Sequence, residues 1–148
     1  MSIKSTVYPV ILAGKVRELR FDIQALTSAH AALKALNMGR GTIWQLADQP
    51  YDLPEEVILL HAGLNGAKRL NKDSDLYTLE DIQNLLQEHL DSMAEDLSQI
   101  DNEQDAMKEF QKRQQDLMNT LADAVKGAIG FRYKGKRDKP AKKERVDA

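Results

Sequence analysis

The sequence contains no cysteine, which excludes disulfide bonds, thiolate metal sites and cysteine nucleophiles. It also lacks any apolar run close to the roughly 20 residues that a membrane-spanning helix requires. The short apolar stretch near the start follows a single lysine and is interrupted by Pro9, so we do not expect a secretory signal. These absences predict a soluble protein without membrane contact, and they fit a reducing cytoplasm.

Signatures of catalysis and of metal binding are also missing. The three histidines, His30, His61 and His89, fall on different predicted helices and form neither an HxxxH nor an HExxH pair. The acidic segment 73–75 lacks the glycine and the distant glutamate of an EF-hand calcium loop. Residues 39–42 place two glycines before a helix but lack the GK[ST] ending of a P-loop. We therefore predict no catalytic residue, no metal and no cofactor, and we predict that the chain is not an enzyme.

Charge is distributed unevenly along the chain. The segment 132–148 has eight basic and three acidic residues, a charge of +5, so the rest of the chain carries −7 when the total is −2. A nucleic-acid-binding fold normally has its basic patch on the folded surface, so an acidic body argues against one. We expect residues 131–148 to form a disordered basic tail. A polybasic arm that contacts nucleic acid or an acidic protein is the alternative, and membrane attachment is the least favoured.

The start of the chain has the pattern of a β-hairpin. Residues 7–12 are rich in β-branched and apolar side chains, Gly14 can adopt the positive φ of a tight turn, and residues 17–21 alternate apolar and polar side chains. An isolated hairpin is only marginally stable in water, so we expect this one to pack on helices. Asp22 is a good N-cap for the first of them.

Two more helix starts follow. Thr42 and Gln45 have the spacing of a capping box, which predicts a short helix, and Asp52 precedes a third helix with Pro54 in its first turn. The only tryptophan, Trp44, lies in the short helix. We expect it to pack in the core, with an anchor for a partner protein as the alternative.

The second half of the chain carries two long apolar stripes at helical spacing, over residues 82–100 and 107–125. No glycine or proline lies between residues 67 and 126, so either two helices pair as a hairpin or one long helix forms a coiled coil. A small domain cannot easily cover both stripes, which favours a helical partner or self-association. The residues predicted to form this protein-binding surface are Leu86, Leu90, Met93, Leu97, Met107, Phe110, Leu117 and Leu121.

These patterns together predict a mainly α fold in three parts. Residues 1–70 form a short N-terminal β-hairpin packed on a small helical domain. Residues 71–130 form a long helical hairpin or a coiled-coil-like extension, and residues 131–148 form the basic tail. This organisation is typical of a protein that binds other proteins.

Part of the chain resembles a known family. The strand and turn with Gly14-Lys15, followed by the segment 17–26 (RELRFDIQAL), are similar to the opening of the tail assembly chaperones of long-tailed bacteriophages, prophages and gene transfer agents. The segments 42–46 (TIWQL) and 54–64 (PEEVILLHAGL) are similar to a second region of those proteins, a short helix followed by an I-x-x-L-x-A-G-L pattern. The resemblance covers about residues 7–70, and the helices beyond residue 75 do not follow the family pattern.

The resemblance implies a helical, non-enzymatic protein in the cytoplasm of an infected or lysogenic bacterial host. Such chaperones bind the long helical tape measure protein while tail tube subunits polymerise around it, and they are absent from the finished virion. Tape measure protein and tail tube protein are therefore the expected partners, and a homo-oligomer is possible from the apolar stripes. Two other functions fit a small helical protein: a structural virion component such as a connector, and a regulatory protein that contacts nucleic acid through its basic tail.

Overall fold

A computed structural model describes residues 6–130 of the chain. It confirms a mainly helical fold that begins with a two-stranded antiparallel hairpin. The predicted tail at residues 131–148 lies outside the described residues. The elements are β1 (Val7–Leu12), β2 (Lys15–Arg20), α1 (Ile23–Ala35), a 3-10 helix (Ile43–Ala47), α2 (Leu53–Leu70), α3 (Leu79–Leu97) and α4 (Glu103–Gly130).

The hairpin turn has two residues and lies within the short turn that the sequence predicts at residues 13–15, since Lys15 already belongs to β2. Ala13 and Gly14 occupy it with φ of 52° and 76°, the left-handed pair that matches the twist of the adjoining strands. Alternation along the strands then separates two faces. Val10, Leu12 and Leu19 are buried against the helices, while the opposite face of the hairpin is exposed to solvent.

The carboxylate of Asp22 holds the first turn of α1 through a hydrogen bond and two ion pairs. Asp22 caps α1 by accepting a hydrogen bond from the Ala25 N–H at 2.8 Å, which confirms the predicted cap. The same carboxylate pairs with Arg20 at 3.1 Å and with Arg69 at 3.0 Å. Because Arg69 lies at the end of α2, these pairs tie the hairpin, α1 and α2 together.

Helix α2 lies at the centre of the fold and packs on α1, β2, α3 and α4. It approaches β2 most closely at Gly66, where a Cβ atom would overlap the backbone carbonyl oxygen of Arg20. The Arg20 guanidinium in turn donates to the Gly66 carbonyl at 3.1 Å. Only glycine allows this contact between helix and strand.

The loop between α1 and α2 is organised around Arg40. Its guanidinium pairs with Glu55 at 2.7 Å, donates to the carbonyls of Gln45 at 2.7 Å and Pro50 at 3.2 Å, and lies 5.3 Å from the centre of the Tyr51 ring. Burial alone would raise the pKa of Glu55, but the hydrogen bond from Arg40 lowers it below its usual value. The loop is therefore held by one buried ion pair.

The short predicted helix is present as a 3-10 helix, and Gln45 reaches back to accept from the Thr42 N–H at 3.3 Å. The expectation that Trp44 packs in the core is wrong, since it is 38% exposed. With about three residues per turn, Ile43 and Leu46 share one side of a 3-10 helix. Leu46 is fully buried there, and Trp44 lies on another side.

Helices α3 and α4 form a hairpin rather than one continuous helix. Residues 98–102 separate them, and Asn102 caps α4 by accepting from the N–H groups of Gln104 at 2.8 Å and Asp105 at 3.2 Å. A long coiled-coil extension is not confirmed. The second half of α4 instead joins the core of the N-terminal hairpin and helices, where Leu121 and Val125 are fully buried.

Candidate functional site

The eight residues predicted to form a binding surface are divided between core and surface. Leu90 and Phe110 are half-buried and Met107 is 54% exposed. The other five, Leu86, Met93, Leu97, Leu117 and Leu121, are buried within this chain. Their use in partner binding stays a prediction, and the structure adds exposed apolar residues that helical periodicity did not single out.

An apolar groove runs between α2 and α3 and ends near the last residues of α1. We call it the leucine groove and define it by Leu36, Leu53, Val57, Leu79, Leu86 and Leu90, with Gln83 and Gln87 also lining it. It encloses about 480 Å³, and no charged side chain is among its lining residues. Leu36, Leu53 and Leu79 are 55%, 54% and 45% exposed, so three large apolar side chains face solvent in one place.

A buried polar clamp positions α3 against α2. Asn65 of α2 is 5% exposed, and its amide both donates to the Tyr77 carbonyl at 3.0 Å and accepts from the Tyr77 N–H at 2.8 Å. His61 donates to the same carbonyl at 3.0 Å. Tyr77 lies two residues before α3, so the clamp fixes where that wall of the groove begins. Sequence reasoning missed Asn65, because no local pattern connects it to a residue 12 positions away.

The α3 wall of the groove belongs to a strongly acidic helix. Between Leu79 and Leu97 there are six carboxylates and no lysine or arginine: Glu80, Asp81, Glu88, Asp91, Glu95 and Asp96. Gln87, which lines the groove, donates to Asp91 at 2.9 Å. The acidic surface therefore begins directly beside the apolar one.

A second apolar surface, which we call the hairpin cleft, lies between the strands, α3 and α4. Its exposed apolar residues are Ile11 and Val16, 64% and 72% exposed and paired across the strands. His89 of α3 accepts a hydrogen bond through Nδ1 from the Ala13 N–H at 3.0 Å, which holds the hairpin turn on the helix. Burial, and then the nearby Arg113 charge, lower the pKa of His89, which favours the neutral ring that can accept this bond.

The three histidines each form a hydrogen bond with the backbone of this chain, and one glutamate of α2 is buried. His30 and His61 donate to backbone carbonyls, and His89 accepts from a backbone N–H. Glu56 in the first turns of α2 is 5% exposed, its Oε2 atom has no hydrogen-bond partner, and burial raises its pKa to about 7. Among residues 6–130, no three histidine or carboxylate side chains come together as metal ligands. The leucine groove and the hairpin cleft each present exposed apolar side chains.

Within the same range of residues, none of the helices has the length and apolar character needed to cross a membrane. Comparison of the chain with protein-family models, with curated proteins and with solved structures finds no match.

Proposed function

We propose that this chain is a non-enzymatic assembly chaperone for the tail of a long-tailed phage or prophage, acting in the host cytoplasm. Its client in this proposal is the tape measure protein, and helical segments of that protein bind in the leucine groove. Tail tube protein is the second partner that the resemblance implies. The observation that carries the proposal is the leucine groove itself, because it presents exposed leucines without any charged lining residue.

The dimensions of the groove suit a helix. From Leu79 to Leu90 the α3 wall rises 11 residues, about 16 Å at the rise of an α-helix. Three turns of a partner helix have the same length, and they present apolar side chains at i, i+3 or i+4, and i+7. Each leucine that such a helix covers gains about 1 kcal/mol or more from removal of apolar area from water.

The resembling segment supplies one wall of this groove. Leu53 lies just before the segment 54–64, and Val57 lies within it. The other wall comes from α3, which begins after the resemblance ends. A first half that resembles the family and a second half that does not would combine the family's way of folding with a client surface specific to this chain. The proposal thus assigns client binding to the junction between the two halves.

Co-expression with the tape measure protein of the same gene cluster, followed by affinity capture, tests the proposal. The groove variant combines Leu53→Gln and Leu79→Gln, and the matched control combines Ile23→Gln and Leu70→Gln, which are also exposed apolar residues on helices. The proposal is supported if the wild type and the control capture the tape measure protein and the groove variant does not, while the helical circular dichroism of the groove variant is unchanged. No capture by the wild type, or equal capture by both variants, overturns it.

A second measurement separates a chaperone from a structural component of the particle. An assembly factor leaves before the tail is complete, so we expect quantitative mass spectrometry of purified particles to detect no stoichiometric amount of this chain. A fixed copy number per particle, comparable with that of a known tail protein, would make the chain a virion component instead.

A further inference from the structure

The charge around the leucine groove is one-sided. On α3, the residues that line the groove are Leu79, Gln83, Leu86, Gln87 and Leu90. At about 100° per residue, Glu80 and Asp91 are the next side chains round the helix beyond Gln87. The hydrogen bond from Gln87 to Asp91 confirms that this carboxylate lies at the lip. An apolar floor is thus bordered by an acidic rim.

The opposite wall does not offset this rim. Its lining residues on α1 and α2 are Leu36, Leu53, Pro54, Val57 and Ile58, none of them charged. Four charged residues adjoin this wall in sequence. Glu55 is buried and paired with Arg40, Glu56 is buried, and the exposed Lys34 and Asp52 roughly cancel in the field they add at that side. The net electrostatic preference of the groove therefore comes from α3.

We propose that the leucine groove selects an amphipathic helix whose apolar stripe is flanked by lysine or arginine. This inference rests on the proposed function, and in that setting it identifies the client segment as a basic-flanked helix of the tape measure protein. Leucine, isoleucine or methionine at helical spacing fills the floor, and the basic flank lies over Glu80 and Asp91. Complementary charge at the rim fixes the register of the helix and excludes helices with acidic flanks.

A second copy of the chain is a poorer occupant. The lining of this groove contains no basic residue, so a two-fold interface through it would leave the acidic rims of both copies without a complementary charge. The chain's own basic end is also a poor match, since residues 132–148 contain no leucine, isoleucine or methionine to fill the apolar floor. A separate partner that combines apolar stripe and basic flank satisfies both features of the groove.

The test uses the full chain and two designed peptides of about 18 residues, long enough to form a helix. Both peptides carry the same leucine stripe at i, i+4, i+7 and i+11, one flanked by lysine and the other by glutamate. Binding is measured by fluorescence anisotropy at about 50 mM and about 500 mM salt, because rim charges are screened at the higher concentration. The rim variant combines Glu80→Gln and Asp91→Asn. Its control, Glu18→Gln with Asp123→Asn, removes two exposed charges elsewhere.

We expect the lysine-flanked peptide to bind the wild type and the control more tightly than the glutamate-flanked peptide at low salt. The rim variant should lose about three- to tenfold in affinity for the lysine-flanked peptide, as expected for two exposed ion pairs, and high salt should reduce the difference. Equal binding of the two peptides, an unchanged rim variant, or no binding of either peptide overturns the inference. Because the peptides are designed, this result is independent of whether the tape measure protein is captured in the co-expression experiment.

Discussion

Replacement of Glu56 by glutamine should stabilise the protein in alkaline solution and not in acid. The Glu56 carboxyl is almost fully buried, and its Oε2 atom has no partner, so ionisation in the folded state is unfavourable. Burial raises the pKa from 4.5 to about 7. The folded state then holds the proton more tightly than the unfolded state. The resulting stability is fully present below pH 4.5 and is lost as pH rises through 7.

The magnitude follows from the size of the pKa shift. One pKa unit corresponds to about 1.4 kcal/mol, so a rise from 4.5 to about 7 gives a complete loss of about 3 to 4 kcal/mol above pH 8. Between pH 5 and pH 8.5 the wild type should lose about 2.5 kcal/mol relative to Glu56→Gln, because glutamine does not titrate. The change with pH is the quantity of interest, since any fixed effect of the substitution on packing cancels.

Urea unfolding followed by circular dichroism at pH 5, 6, 7 and 8.5 measures this difference. The neighbouring Glu55→Gln serves as the contrast, because Arg40 stabilises the ionised form of that carboxyl. Glu55→Gln should be less stable than the wild type by a nearly constant amount from pH 5 to pH 8.5, because the lowered pKa of Glu55 confines the loss of its contribution to pH below 4.5. If the stability difference between wild type and Glu56→Gln stays constant from pH 5 to pH 8.5, the pKa of Glu56 is not raised in the folded state.

Three further substitutions test how the fold is held. Gly66→Ala should lower the free energy of unfolding by more than about 3 kcal/mol in urea titrations, because its Cβ overlaps the backbone of β2. Arg40→Met should cost about 3 to 5 kcal/mol, measured in the same way, since it removes the ion-pair partner of the buried Glu55 carboxylate and leaves the Asp52 N–H as its hydrogen-bond donor. His89→Phe removes a neutral ring whose pKa is lowered by burial and which accepts a hydrogen bond from the Ala13 N–H. The wild type should therefore lose stability relative to this variant as pH falls below about 6.5. If the unfolding free energies of the two proteins change with pH in the same way, the Ala13 hydrogen bond is contradicted.

Local signals in the sequence predicted the elements well. Gly14 in a two-residue turn, the Asp22 cap and the capping box at Thr42 each depend on residues within four positions of one another, so they can be recognised without a structure. The sequence alone does not decide whether α3 and α4 are separate helices, because no glycine or proline marks the break between them. The Asn102 cap that creates it is a weaker signal than either residue.

The candidate site was harder to predict because periodicity identifies an apolar face but not what covers it. Leu117 and Leu121 have the same helical spacing as Leu86 and Leu90, yet only Leu90 of these four is not buried, and α4 turns back to bury Leu117 and Leu121 in the core. Helical periodicity also does not single out two exposed leucines of the groove. Leu53 and Leu79 are the first residues of their helices, where a stripe has only begun.

The proposed binding of a client helix in the leucine groove can be tested by mapping where that helix contacts the chain. Hydrogen–deuterium exchange should be compared for the chain alone and in its co-purified complex with the tape measure protein. We expect slower exchange over residues 53–58 and 79–90, which line the leucine groove, with little change around Ile23 and Leu70. Protection confined to the hairpin cleft or to the exposed end of the α3–α4 hairpin, with unchanged exchange along the groove, would contradict it.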